Sequence, residues 1–216
     1  MADMAEISVA LQQGRAKAVK LLVQNAIDEG VPAEEILEGG LLHGMGAVGD
    51  RFKSGEAYIP DVMIAARAMK AGSELLKPLL VDSGDKSKGK VVLGTVRGDL
   101  HDIGKNLVGM MMEGRGLDVI DVGTDVPAER FVSKAKEQGA QIIALSALLT
   151  TTMGEMKNVV EAVRAQGLEG KIKVMVGGAP VSDSFCKSIG ADAYEPDAAT
   201  AAETAAKICG RMPPNP

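Results

Sequence analysis

Residues 90–123 read KVVLGTVRGDLHDIGKNLVGMMMEGRGLDVIDVG, and the alternation within them is the strongest indication of the fold. Two short apolar runs, at 90–96 and 117–123, are separated by a polar loop and by an amphipathic segment over 104–115. Continuous apolar runs that alternate with amphipathic helices are typical of parallel strands covered by helices on both faces. We therefore predict a strand, a helix and a second strand that begin an α/β domain.

The same alternation continues through the rest of the chain. Five strand–helix units predict an α/β domain over 90–216 with a flavodoxin-like (Rossmann-like), doubly wound five-stranded parallel sheet. Such sheets bind ligands at the carboxyl ends of their strands, near the point where the strand order reverses. The later strands are predicted within 140–148, 172–180 and 191–197, and the later helices at 127–139, 153–166, 182–189 and 198–210.

Residues 1–84 have a different character, with helical periodicity and no convincing strand. Apolar residues recur every three or four positions, Gly14 separates the first two helices, and Pro32 and Pro60 open the later ones. These signals predict a four-helix bundle as a separate N-terminal domain. The polar stretch 82–89, DSGDKSKG, predicts a linker between the two domains.

Composition argues against several classes of protein. The formal net charge is −5 and no basic tract is present, which disfavours binding to nucleic acid. No apolar run approaches the ~18 residues that a membrane span needs, and no signal peptide is visible. Two cysteines and two histidines are too few to build a zinc site easily. We expect a cytoplasmic protein, and any metal at His101 should bring most of its own ligands.

Polar residues follow three of the predicted strands. They lie in the loops 97–106, 146–153 and 177–182, which follow the first, third and fourth strands. Because the carboxyl ends of parallel strands meet at one edge of a sheet, we expect these loops to share one crevice.

The first loop places His101 two positions after Asp99. A carboxylate that accepts the Nδ1–H of an imidazole fixes its tautomer and leaves Nε2 free as a ligand or base. Gly104 permits close approach of a flat, bulky group, and Asn106 can donate to carbonyl or phosphate groups. An alternative is equally open from these residues alone: Asp99 or Asp102 caps the following helix, and His101 is merely exposed.

The other two loops offer hydroxyl groups and glycines. One hydroxyl in the third-strand loop is expected to cap helix 153–166, which leaves the others for a ligand. Gly177-Gly178 permits close backbone approach, although a lone glycine pair is a weak signal. The hydroxyl residues of the third-strand loop are Ser146, Thr150, Thr151 and Thr152.

These motifs together resemble the signature of a known family. Asp99-x-His101-x-x-Gly104, Ser146-x-Leu148 and Gly177-Gly178 look like the D-x-H-x-x-G, S-x-L and G-G motifs of cobalamin-binding domains. Such domains occur in methionine synthase and in the small corrinoid proteins of methyl-transfer systems. Residues 43–72 are similar to the helical cap over the upper corrin face in that family, so the resemblance covers nearly the whole chain and implies methyl chemistry.

The resemblance implies roles for individual residues. His101 would be the lower axial ligand to cobalt, Asp99 would hold its imidazole and share a proton with it, and Thr152 would extend this relay. Asp102 would contact the cofactor, with a capping or surface role as its alternative. The apolar cap residues Met45, Phe52, Ile59 and Val62 would shield the methyl face. The other implied cofactor-binding residues are Gly98, Ile103, Gly104, Asn106, Ser146, Leu148, Thr150, Gly177, Gly178 and Tyr194.

The resemblance also implies a function. The protein would carry cobalamin or a related corrinoid, accept a methyl group on cobalt from a substrate-specific methyltransferase, and pass it to a second methyltransferase. The second enzyme would use tetrahydrofolate or a thiol as acceptor, and a reductive activator would be a further partner. The protein would turn nothing over alone. The alternatives are a cobalamin-dependent sensor or regulator, and a flavodoxin-like nucleotide binder with an incidental D-x-H-x-x-G motif.

Overall fold

The computed structural model describes residues 3–82 and 87–212, which form two compact units. One unit contains the described residues up to 87 together with 114–116, and the other contains 88–113 and the described residues from 117 onward. Residues 83–86 of the linker predicted over 82–89 lie outside the described residues. The domain boundaries predicted from the sequence stay a prediction.

The first unit consists of four helical stretches, as the sequence predicts. The third stretch is one run of helix that changes from α to π geometry and back, and the sequence periodicity did not reveal this π-helical segment. The core of the first unit is aliphatic, with Leu11, Val19 and Leu41 wholly buried. The elements are α1 (Met4–Gln12), α2 (Ala16–Asp28), α3 (Ala33–Glu35), a π-helical segment (Ile36–Leu42), α4 (His43–Lys53) and α5 (Ile59–Asp82).

The second unit contains a five-stranded, all-parallel sheet with the strand order β2-β1-β3-β4-β5. This order confirms the predicted doubly wound, flavodoxin-like fold. Thr95 at the end of β1 lies opposite Ser146, and Ser146 lies opposite Gly177, so the loops after β1, β3 and β4 leave the sheet at one level. The strands are β1 (Lys90–Thr95), β2 (Asp118–Asp121), β3 (Ile142–Ser146), β4 (Lys173–Gly177) and β5 (Ala193–Tyr194).

Helices cover both faces of this sheet. Helices α6 (Ile103–Glu113) and α10 (Ala198–Arg211) pack against each other on one face. On the other face, a core that includes Phe131, Ile143 and Met156 joins the sheet to the remaining helices. These helices are α7 (Ala128–Gln138), α8 (Gly154–Ala165) and α9 (Asp183–Ile189). Among the described residues, no helix has the length and apolar character that crossing a bilayer requires.

Both cysteines are free and buried. Burial raises the pKa of the Cys186 thiol and raises that of Cys209 to about 11. Both thiols are therefore protonated at neutral pH and are poor nucleophiles.

Candidate functional site

The loop after β1 begins with a tight turn over residues 96–99. The N–H of Asp99 donates to the carbonyl of Val96 at 3.2 Å, and Gly98 has a φ of +78°. A positive φ at the third position of a turn favours glycine, because a Cβ would be strained there. Asp99 is the last residue of this turn and is 0% exposed, so its carboxylate is buried.

The Asp99 carboxylate joins the loops that follow β1 and β3. Its Oδ1 accepts the backbone N–H of His101 at 3.1 Å and lies 2.7 Å from His101 Nδ1. Its Oδ2 accepts the N–H groups of Leu148 at 2.8 Å and Leu149 at 3.3 Å, and the Thr152 hydroxyl lies 2.9 Å away. No described donor to this carboxylate lies in α6, so the alternative in which Asp99 caps that helix is wrong.

The state of Asp99 determines the tautomer of His101. Burial alone would raise the pKa of the Asp99 carboxyl, but hydrogen bonds from Leu148, His101 and Thr152 hold this pKa well below its usual range. Asp99 is therefore a carboxylate at neutral pH, and a carboxylate can only accept hydrogen bonds. Nδ1 of His101 must then carry the proton, which leaves a lone pair on Nε2 of the neutral imidazole.

The depressed pKa of Asp99 predicts how protein stability changes with pH. An unfolded aspartate has a pKa of about 3.9, so the unfolded chain binds the extra proton first as pH falls below this value. The stability contributed by the Asp99 carboxylate is thus fully present above about pH 5 and declines as pH falls through the lower folded pKa. Urea unfolding of the wild-type and Asp99→Asn apoproteins should therefore give a stability difference that shrinks below about pH 4. A difference that stays constant down to acid pH would contradict this assignment.

His101 is presented at the surface with its backbone held on both sides. Its side chain is 50% exposed, and its carbonyl accepts the buried Thr95 hydroxyl at 2.7 Å. Exposed apolar side chains lie close to His101 in sequence and in the loop after β3. Clusters of exposed apolar side chains mark ligand-binding surfaces. A half-exposed imidazole that keeps an unprotonated Nε2 beside apolar side chains has the chemistry to bind a metal held in a flat organic ring. The exposed apolar residues are Leu100, Ile103, Leu148 and Leu149.

The loops after β3 and β4 lie in direct contact. A Cβ added at Gly178, whose φ is +133°, would lie 1.9 Å from the carbonyl oxygen of Ala147. Glycine is therefore required at position 178, where these two loops meet. That Gly177 and Gly178 admit a ligand close to the backbone stays a prediction. Thr150 is exposed in the β3 loop, and Tyr194 is partly buried on β5, where it pairs with Val176.

The first turns of α6 hold a chain of polar contacts. The buried Lys105 ammonium pairs with Asp121 and donates to Asn106 Oδ1 at 2.7 Å, while Asn106 Nδ2 donates to Asp102 Oδ2 at 3.2 Å. The Asn106 amide, expected as a donor to a ligand, thus donates here to an exposed residue of its own loop. A Cβ added at Gly104 would meet nothing within 4 Å, so the surface there is open.

The prediction that a hydroxyl of the β3 loop caps the following helix was wrong. The N-cap of α8 is Met153, which makes no side-chain capping bond. The Thr152 hydroxyl lies 2.9 Å from both Asp99 Oδ2 and the Leu149 carbonyl instead. A tertiary contact with a buried carboxylate has replaced the local contact that residue preferences favour.

Sequence reasoning missed two residues that support the site. Thr95 was visible as a hydroxyl residue at the end of an apolar strand, but nothing assigned it a partner. Asp125, in the loop between β2 and α7, accepts the Gly98 N–H at 2.7 Å through Oδ1 and donates its own N–H to the Asp99 carbonyl at 3.0 Å. It lies far from residues 98 and 99 in sequence, and no local motif relates them.

The residues expected to shield the methyl face lie in the helical unit. Met45 and Val62 are buried, at 1% and 0% exposure. Phe52 is partly buried, and Ile59 is 41% exposed at the start of α5. Their role over a cofactor stays a prediction.

Comparisons with known proteins cover both units. Two family models, each described as a B12 binding domain, match residues 89–205 and 4–77. A corrinoid protein of Desulfitobacterium hafniense is 46% identical over 209 residues, 95% of this chain and 97% of that protein. The dimethylamine corrinoid protein of Methanosarcina barkeri is 44% identical over 204 residues, 94% and 95% of the two chains.

A solved structure also matches both units. It is the methanol:cobalamin methyltransferase complex MtaBC from Methanosarcina barkeri, with a TM-score of 0.87 and 32% sequence identity. The match covers 98% of this chain and 81% of that chain.

Proposed function

Because the chain belongs to the family of B12-binding corrinoid proteins and its cofactor is a corrinoid, we propose that it carries a methyl group between two methyltransferases. A substrate-specific methyltransferase donates the methyl group, and a second methyltransferase delivers it to tetrahydrofolate or a thiol. The relatives support a methyltransferase partner, since one is named for dimethylamine and another is a complex with a methanol:cobalamin methyltransferase. A reductive activator of the corrinoid is a further partner in this proposal.

The observation that carries the proposal is the Asp99–His101 pair. Asp99 Oδ1 lies 2.7 Å from Nδ1 of an imidazole whose side chain is half exposed. When bound, the corrinoid supplies a cobalt centre that can accept and release a methyl group. His101 would hold the cobalt through Nε2. Asp99 keeps the proton on Nδ1, so the carboxylate would tune how strongly the imidazole donates.

The surrounding residues support this pair in different ways. The N–H groups of Leu148 and Leu149 and the Thr152 hydroxyl keep Asp99 ionised, because each stabilises the charged form. The exposed apolar side chains beside His101 would exclude water from a corrinoid bound there. The loops that begin at Ser146 and Gly177 would receive the corrinoid's own base and nucleotide tail, which His101 would replace at cobalt.

Reconstitution tests this function directly. Apoprotein is mixed with hydroxocobalamin and desalted, and we expect the protein fraction to retain corrinoid absorbance. The reduced protein is then offered to a panel of methyltransferases with methylated amines, methanol or aryl methyl ethers as donors. We expect turnover only when a donor-side and an acceptor-side enzyme are both present. Loss of all absorbance on desalting would refute corrinoid binding, and retention without methylation by any enzyme would favour the sensor alternative.

Gly104 provides a test of the proposed corrinoid face that leaves the apoprotein intact. Gly104→Ala meets no neighbouring atom and replaces glycine in the first turn of α6, so the apoprotein should be as stable as the wild type or more so. The added methyl group would occupy space that we assign to the corrin ring, and we expect hydroxocobalamin to bind about tenfold more weakly. Equilibrium titration followed by absorbance measures this change.

The matched control for this change is Gly210→Ala in α10. Gly210 is also helical, and a Cβ there also meets nothing within 4 Å. We expect this variant to bind hydroxocobalamin like the wild type. Equal affinities for the two alanine variants would remove Gly104 from the cofactor surface.

A further inference from the structure

Asp125 holds the turn that carries Asp99, and we propose that it is a positioning residue for the Asp99–His101 pair. This inference rests on the proposed function, since the pair matters as the support of an axial ligand. Asp125 lies in another loop, between β2 and α7, and none of its described hydrogen bonds is to His101. Its effect on the ligand would pass through the backbone of Gly98 and Asp99.

Two hydrogen bonds connect Asp125 to opposite ends of the Gly98-Asp99 dipeptide. Asp125 Oδ1 accepts the Gly98 N–H at 2.7 Å, and the Asp125 N–H donates to the Asp99 carbonyl at 3.0 Å. Two contacts fix both the position and the orientation of a short segment, whereas one contact would let it rotate. This pair of hydrogen bonds is called the Asp125 clamp below.

The backbone of Asp125 is held in an unfavourable conformation. Its φ is +55°, and it is the one non-glycine residue with positive φ among residues 3–82 and 87–212. Aspartate tolerates this left-handed region better than most residues, but the conformation is still unfavourable for any residue that carries a Cβ. Such strain persists only where surrounding contacts impose it, and it clusters at functional sites. Here the neighbouring residues are anchored to β1, because the Val126 N–H donates to the Thr95 carbonyl at 3.1 Å.

The clamp acts on the residue whose side chain joins two loops. The Asp99 carboxylate must reach His101 Nδ1 and the N–H groups of Leu148 and Leu149 at the same time. Gly98, which precedes it, is exposed and has the widest conformational freedom of any residue type. Without the clamp this turn samples more conformations, so the carboxylate holds the imidazole less often in the orientation that presents Nε2.

Three substitutions of Asp125 separate the loss of the hydrogen-bond acceptor from the effect of the unfavourable backbone conformation. Asp125→Asn keeps an oxygen that can accept the Gly98 N–H and also tolerates positive φ. Asp125→Gly permits the same backbone conformation but removes the acceptor. Asp125→Ala removes the acceptor and disfavours the conformation. The asparagine variant is therefore the matched control for the glycine variant.

Four measurements report on the His101 ring and on the turn that positions it. In the ¹⁵N-labelled apoprotein, the ring resonances of His101 report whether Nδ1 carries a proton donated to a carboxylate. Hydroxocobalamin titration gives the affinity, and the visible spectrum of the complex reports imidazole ligation. Amide exchange of Gly98 in the wild type tests the clamp without any substitution, because a hydrogen-bonded N–H exchanges slowly even in an exposed loop.

We expect a slowly exchanging Gly98 amide and an asparagine variant that matches the wild type. The glycine variant should shift the His101 ring resonances and bind hydroxocobalamin up to about tenfold more weakly, which is the size of effect expected from losing one hydrogen bond. Wild-type resonances and affinity in the glycine variant, an asparagine variant that behaves like it, or rapid Gly98 exchange would each overturn the proposal. If the wild type bound no corrinoid, the proposed function would fail, while the resonances and the exchange rate would still test the clamp.

Discussion

Replacing His101 with alanine should abolish the imidazole signature in the visible spectrum of the reconstituted protein and should barely change the stability of the apoprotein. The side chain is half exposed and its described contact is with Asp99, so its removal should cost only about 1 kcal/mol of unfolding free energy. The backbone contacts that shape the loop remain, because Asp99 binds the N–H of residue 101 and Thr95 binds its carbonyl. The spectrum should become that of a corrinoid without a protein ligand.

Two controls make this result specific. His43→Ala removes the other histidine of the chain, which is exposed on α4, and should leave the spectrum unchanged. Free imidazole added to the His101→Ala protein should restore the original spectrum, since the space left by the side chain can admit it. An unchanged spectrum in His101→Ala would show that another group, or none, occupies the lower position of cobalt.

Asp99→Asn should give His101 the wrong tautomer for metal binding, while the side chain at position 99 keeps its shape. Three donors converge on Oδ2 and two on Oδ1, so the single amide oxygen should occupy the Oδ2 position. The NH₂ group then faces His101 and donates to Nδ1, which places the ring proton on Nε2. A protonated Nε2 has no lone pair for cobalt. We expect loss of imidazole ligation and corrinoid affinity lowered by up to about 100-fold.

The matched control is Asp102→Asn in the same loop. Asp102 is exposed, and its Oδ2 accepts from Asn106, which an asparagine oxygen can also do. With Asp102 in the surface role, the alternative to contact with the cofactor, this variant should retain the wild-type spectrum and affinity. Ring ¹⁵N resonances in the two apoproteins measure the tautomer directly, and an Nδ1-protonated His101 in Asp99→Asn would contradict the argument.

Local pattern was sufficient to predict the alternation of strands and helices from residue 90 onward. Each apolar run became a strand and each amphipathic segment a helix, because these periodicities reflect which face of an element is buried. The same periodicity could not distinguish the π-helical segment at Ile36–Leu42 from α-helix, since both bury a similar face. The three loops of the site were also predictable, because strand order in this fold places them at one edge.

Tertiary structure alone decided which atoms of these loops meet. The Thr152 hydroxyl, expected to cap its own helix, contacts Asp99 because a buried carboxylate needs donors more than an exposed helix end needs a cap. The hydrogen bonds of Asp99 with Leu148 and of Asp125 with Gly98 join residues 49 and 27 positions apart. Local preferences carry no information about such partners. The chain's motifs thus place a histidine beside a carboxylate. The packing of distant loops determines which ring nitrogen of that histidine carries the proton and how the ring is oriented.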